Sequence, residues 1–307
     1  MLKFARKFYN TSPRSWLMSL SALLRRGVLK SNPQKDECQI TKKDLSGCAQ
    51  IFDETYFARR NPLIQSLIED VRSGKSIDFI LSGIPANSYD ERIVEYPYFA
   101  KWLLSQPTGL DILDIGCVLN NKVVSRLLRK HCNRVWLCNV AIENSIFVQN
   151  PVFYHISNLF DAFPSGEQFN LVSCLSTIEH IGYDNSQYGC KLKSLYSEPN
   201  IDPLVTALKK IASLTASKGR FCISLPFGYR EALVHPVTKK IASQVFDFDS
   251  LNIGIDILNS NGAVSNYEVF SIENGAWKNV DPSKCKNRYA HGWPAAGAVA
   301  LLTGVKQ

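Results

Sequence analysis

The chain has 307 residues, of which 45% are hydrophobic and 20% charged. That is enough to bury a full core, and it favours one domain of roughly 200 residues plus an extension over two equal domains. Its net charge of +8 lies in residues 1–35, which hold Lys3, Arg6, Lys7, Arg14, Arg25, Arg26, Lys30 and Lys35 and no acid; the other 27 Lys and Arg balance 27 Asp and Glu, so a nucleic-acid surface spread over the body is excluded.

Nine cysteines, an odd number with no Cys-x-x-Cys pair, argue against a disulfide framework. Cys117, Cys138, Cys174 and Cys222 sit in or beside apolar runs and read as small core residues of a reducing compartment. The apolar run Trp16 to Leu24 is far shorter than the ~20 residues a membrane span needs. Arg25-Arg26 follows it, where a secretory signal would have small residues.

In chain order, residues 1–35 form a basic amphipathic segment. Ser12-Pro13 can start a helix, and Trp16, Leu17, Leu20, Leu23, Leu24 and Val28 share one face. Such a helix would lie on an anionic membrane surface or pack on the body with its charges solvated. The first alternative gives a cytoplasmic protein held peripherally at the inner membrane. Residues 36–95 read as a mostly helical extension or cap, with periodic Leu63, Ile64, Leu67, Ile68 and Val71 marking a helix over 61–72. Ser82 to Asn87 is a loop, and Glu91 to Phe99 leads into a helix near 99–104.

From residue 96 to 307 the rhythm is strand, helix, strand. Strands are expected at 110–115, 134–140, 152–156, 169–175, 220–225, 266–271 and 297–303, and helices near 121–130, 203–216 and 249–260. The first five strands alternate with helices or long connections, which favours a parallel sheet covered on both faces. The last two would form an antiparallel pair at one edge. The stretch Leu110 to Lys130 organises the rest: an apolar strand ending in Asp114-Ile115, a corner at Gly116, then a helix with Val123, Val124, Leu127 and Leu128 in phase. An acid at a strand end, a glycine turn and free N–H groups at a helix start make a nucleotide-type pocket.

Three motifs in register with this rhythm carry a family resemblance. Leu113-Asp114-Ile115-Gly116-Cys117 comes first. Phe169 to Gly182, which includes Glu179-His180, comes next, and Leu208 to Gly228, with Lys218-Gly219 and Ser224-Leu225-Pro226, comes last. Over about residues 91–305 the chain resembles a class I S-adenosylmethionine-dependent methyltransferase. The run Ser176 to Gly182, with Tyr188-Gly189 after it, is similar to methyltransferases of bacterial surface-polysaccharide gene clusters. The resemblance implies a Rossmann-like α/β fold: a seven-stranded, mostly parallel sheet with helices on both faces, plus a helical N-terminal extension.

It also implies roles. Asp114 would hold the methionyl ammonium of S-adenosyl-L-methionine, directly or through water, while Gly116, Cys117, Asn120 and Ser176 frame the cofactor. The family's second glycine is here Val118 and its third Asn120; the acid that takes the ribose is here Asn139, and the one that reads adenine is Asn158. Amide oxygens can still accept those hydrogen bonds, without the charge. His180, past the fourth strand, suits removal of a proton from a sugar hydroxyl, with Glu179 orienting a neighbour. Tyr183, Tyr188, Tyr229 and Arg230 would line the acceptor side, along with Asp184 and His235. No His-Glu-x-x-His occurs and the other histidines have no ligand spacing, so no metal is expected. The expected activity is methylation of a hydroxyl on a sugar or glycan precursor; the alternative is a methyltransferase fold with a degraded cofactor site, serving as a binding or scaffold subunit.

Overall fold

The computed structural model describes residues 54–141, 152–157, 159–163, 166–183, 185, 202–234, 241–287 and 296–307. The basic segment 1–35, Asn158, Asp184, Tyr188 and His235 lie outside them.

Among the described residues three α-helices precede the sheet: α1 (Glu54–Arg72), α2 (Ile77–Leu81) and α3 (Arg92–Leu104). The helix expected over 61–72 begins at Glu54, and the one expected near 99–104 begins at Arg92 and runs through Pro97. Proline removes one helical hydrogen bond. Ile93, Val94, Phe99 and Leu103 of α3 are all fully buried, and that burial outweighs the loss. The boundary drawn between residues 95 and 96 therefore falls inside α3. Ile64, Leu67 and Ile68 of α1 share one apolar cluster with α3 and the sheet, so the described part of the extension belongs to the core of the main domain.

The alternating pattern then unfolds as read: β1 (Leu110–Ile115), α4 (Lys122–His131), β2 (Cys132–Asn139), β3 (Val152–Ile156), β4 (Phe169–Cys174), α5 (Pro203–Leu214) and β5 (Thr215–Pro226). Capping residues set the helix starts. Asn121 accepts from the Val123 N–H, and Asp202, just before Pro203, accepts from the Leu204 N–H. Arg129, Lys130 and His131 fill the last turn of α4, where the helix dipole favours cations. After a small hairpin, β6 (Glu231–Val234) with β7 (Ile241–Val245), come α6 (Phe248–Ser260), β8 (Ala263–Glu273), β9 (Ala276–Asn279) and β10 (Ala298–Lys306).

The main sheet has the order β3-β2-β1-β4-β5-β10-β8-β9. β1 to β5 run parallel, and β10 is antiparallel to both neighbours. This is the mostly parallel, Rossmann-like architecture that was expected, with two differences. β8 and β10 do pair antiparallel, but not at the edge: β10 inserts between β5 and β8, and β9 adds an eighth strand outside them. Period-two alternation divides the sheet between two cores. Ile112, Leu171, Cys222, Val299 and Leu301 face the α1–α4 layer, whereas Leu113, Val172, Ile223, Ala300 and Leu302 face α5 and α6. Because β1, β2, β4 and β5 are parallel and in register, Asp114, Asn139, Ser176 and Ser224 all come to one edge of the sheet, at the strands' C-terminal ends.

Candidate active site

At this edge the turn after β1 closes against the turn after β4. Gly116 has φ +94°, and a Cβ there would stand 2.0 Å from Thr177 Oγ1. The glycine is thus required by the meeting of two protein loops, where the sequence suggested a close approach to a ligand. Cys117 follows it in the left-handed region, at φ +58°, and is buried. Asp114 is fully buried. Its carboxylate accepts from the Leu119 N–H (2.8 Å) and from Ser173 Oγ (3.0 Å). Both carboxylate oxygens thus accept from within the fold, which ties the far end of the corner to β4.

The N–H groups between the corner and α4 turn inward. Leu119 N–H goes to Asp114, Asn120 N–H to the Cys117 carbonyl, and Asn121 N–H to the Leu119 carbonyl. Val118, where the family pattern has glycine, packs its side chain on the α1–α4 core, and its carbonyl accepts from Tyr96 Oη at 3.1 Å. Asn139 ends β2, half-buried, with its amide oxygen accepting from the Val140 N–H.

Residues 178–180 form a single 3₁₀ turn after β4. His180 Nδ1 lies 3.0 Å from the Ala242 carbonyl on β7. A carbonyl only accepts, so Nδ1 carries the proton and Nε2 keeps the lone pair. Burial holds the imidazole below its usual 6.5, aided by Arg92 and opposed by the Ala242 bond. Neutral at pH 7, Nε2 is therefore a competent proton acceptor. Glu179 is almost wholly buried; its Oε1 is 3.8 Å from His180 Nε2, and its Oε2 has no hydrogen-bond partner among the described residues. Burial pushes this carboxyl well above the usual range, and neighbouring Glu95 and Glu91 add to the shift while Arg92 opposes it.

The β6–β7 hairpin forms the outer wall. Besides the Ala242 carbonyl it supplies Gln244, whose Oε1 accepts from Tyr183 Oη at 2.6 Å. Tyr229 and Arg230, just before β6, are exposed. Tyr183 and Asp247 both feel the Arg230 charge, so Arg230 stands on the same side as Tyr183. A concavity of about 420 Å³, lined by Trp102, Arg220, Val264 and Thr303 among others, lies at the opposite end of the strands, and none of the expected site residues borders it.

The sequence reading missed the residue at the centre of this edge. Glu95, on the first turns of α3, is fully buried. Its Oε1 accepts from Ser176 Oγ (2.5 Å) and Ser224 Oγ (2.6 Å), and its Oε2 pairs with Arg92. The available signal was a lone acid in the apolar run Ile93 to Phe99, since a charge in such a run is either at the surface or matched by partners. Ser176 has φ +35°, a strained value for a residue with a side chain, and its N–H also donates to Ser224 Oγ at 2.9 Å.

No family model and no curated protein matches this sequence. Among solved structures, the chain is similar to the N-methyltransferase NodS from Bradyrhizobium japonicum WM9 in complex with S-adenosyl-L-homocysteine, at 14% identity over 80% of this chain and 98% of that one, with a TM-score of 0.42. It is similar to 1,6-didemethyltoxoflavin-N1-methyltransferase from Burkholderia thailandensis at 12% identity, covering 81% and 90%, with a TM-score of 0.41. An S-adenosylmethionine-dependent methyltransferase from Mesorhizobium loti gives 9% identity, 73% and 99% coverage and a TM-score of 0.42.

Proposed function

We propose that the chain is an S-adenosylmethionine-dependent methyltransferase acting on a hydroxyl of a sugar or glycan precursor. The observation that carries this reading is the pairing, at one sheet edge, of the Gly116 corner with a His180 whose Nε2 lone pair is fixed by the Ala242 carbonyl. The corner residues fit the cofactor in one respect that the sequence left open: Val118 packs on the core. Gly116, Cys117, Asn120, Asn139 and Ser176 would hold it, with Asp114 supporting the corner from below. Bound there, S-adenosyl-L-methionine supplies an electrophilic methyl group on a sulfonium. His180 Nε2 would take the hydroxyl proton as the acceptor oxygen attacks and later release it to solvent, and Glu179 beside it would orient its neighbours. Tyr183, Tyr229 and Arg230 would orient the acceptor.

Titration calorimetry with S-adenosyl-L-homocysteine tests the proposal. Binding at micromolar concentrations is the expected result, and no heat at millimolar ligand would overturn it. That outcome would favour the second reading, a binding or scaffold subunit, which is supported by the two hydrogen bonds that the Asp114 carboxylate accepts within the fold. Residues 1–35 would bring such an enzyme to an anionic membrane surface carrying its acceptor. Deleting residues 1–30 should then reduce salt-sensitive binding to anionic vesicles, and unchanged binding would remove this part of the proposal.

A further inference from the structure

The start of α3 touches the turns after β1 and β4 and the end of β5. Glu95 holds the turn after β4 through Ser176 and the end of β5 through Ser224. The next residue, Tyr96, holds the turn after β1: its hydroxyl donates to the Val118 carbonyl and lies 3.4 Å from Asn121 Nδ2, the cap of α4. Glu91, one turn earlier, accepts from the Ala296 N–H ahead of β10 at 3.2 Å. We propose that α3 is a strap joining the cofactor corner to the His180 turn, and that Glu95 is the positioning residue on which the geometry of His180 depends.

Two facts on the His180 side support this. Ser176, four residues before His180, is held at a left-handed φ of +35°. Such a backbone persists only when its surroundings over-determine it. Here those surroundings are three buried side-chain hydrogen bonds among Ser176, Ser224 and Glu95, together with a main-chain bond from the Ser176 N–H to the Ser224 carbonyl at 3.2 Å. Thr177 follows, and its side chain is the one that excludes a Cβ at Gly116. Displacing Ser176 therefore moves Thr177 against the corner and His180 away from the Ala242 carbonyl. The carboxylate is the only acceptor shared by both serine hydroxyls among the described residues, and charge-assisted bonds of this kind are the strong ones.

The inference rests on His180 as proton acceptor, but its test is read without substrate. The chain has five histidines, so nitrogen-15 spectra of the full-length protein can be assigned to His180 by comparison with His180→Gln. In the native protein, His180 should show a protonated Nδ1, a bare Nε2 and a midpoint below 6.5. In Glu95→Gln, the tautomer signals should mix and the midpoint should move up toward 6.5. Affinity for S-adenosyl-L-homocysteine should fall by about tenfold or more, as loss of positioning does at a distance. Tyr96→Phe, which touches only the corner side, should shift the His180 signals in the same direction. Unchanged His180 signals in both variants, with only a lower melting temperature, would reduce Glu95 to buried support and overturn the proposal. Should Glu95→Gln fail to fold, Ser224→Ala removes one hydroxyl donor, leaves the Glu95–Arg92 pair in place and gives the same readout. If native protein does not bind the homocysteine ligand, the methyltransferase reading fails, while the histidine spectra still decide the role of Glu95.

Discussion

Gly116 shows how one residue can be read correctly for an incomplete reason. A glycine at a strand end followed by a helix predicts a tight turn, and the turn is there. What forbids any other residue is Thr177, from a loop 61 residues further along the chain. This separates two costs. Gly116→Ala must place a side chain at φ +94°, which costs about 1 kcal/mol, and must also displace Thr177, which adds roughly 1–3 kcal/mol. In Gly116→Ala/Thr177→Gly the steric part disappears and the backbone part stays. Urea denaturation of the two single variants and the double should therefore be non-additive by at least 1 kcal/mol in the rescuing direction. Additive losses would mean that the two loops do not press on each other. Asp114 teaches the converse lesson: its position was legible from the sequence, but its burial was not, because that depends on Leu119 folding back over it.

At the scale of elements, local pattern sufficed where a segment's own residues decide its state. β1 and β3 begin and end where the apolar runs do, and α4 and α5 start at their caps. It failed where the deciding partner is remote. β6, β7 and β9 are four or five residues long and too mixed to show a period. The insertion of β10 between β5 and β8 is a choice of partners that no single segment encodes. α3 was truncated in the reading, which began it near Phe99, and with its first turns went Glu95, the contact hub of the site. The same remoteness governs how α1 docks. Arg60 pairs with Asp90 at 2.5 Å, both almost fully buried, and Tyr56 Oη accepts from the Asp90 N–H at 2.9 Å. Removing one partner leaves an uncompensated buried charge, so Asp90→Ala should cost about 3–5 kcal/mol in global unfolding. Arg60→Met/Asp90→Leu, which removes both charges, should recover most of that loss. A double variant no better than Asp90→Ala would show that an uncompensated buried charge is not what the single substitution costs.

Across the whole molecule, the site edge concentrates groups whose protonation differs between the folded and unfolded chain, and this sets how stability follows pH. Glu91, half-buried in the folded chain, is pushed up from 4.5 to about 7 by burial first and Asp90 second, against Arg92. Glu179 is raised for the same leading reason. A carboxyl raised on folding binds its proton more tightly in the native state. Its contribution is therefore complete below the unfolded value near 4.5 and is lost as pH climbs through the folded value, which for Glu91 amounts to roughly 2–3 kcal/mol by pH 8. His180 acts in the opposite sense. Lowered on folding, it favours the native state above 6.5 and withdraws that support as pH falls through its folded midpoint. The two directions together put maximum stability on the acidic side of neutrality, with a decline toward pH 8. Melting temperatures at constant ionic strength should fall between pH 5.5 and 8, and Glu91→Gln should flatten that fall without moving the acid limb, which belongs to His180. If Glu91→Gln keeps the native slope, the carboxyl is not the group that titrates there. A flattened slope would instead identify the strap helix as a place where the fold gives up stability to keep acids packed around Arg92 and the His180 turn.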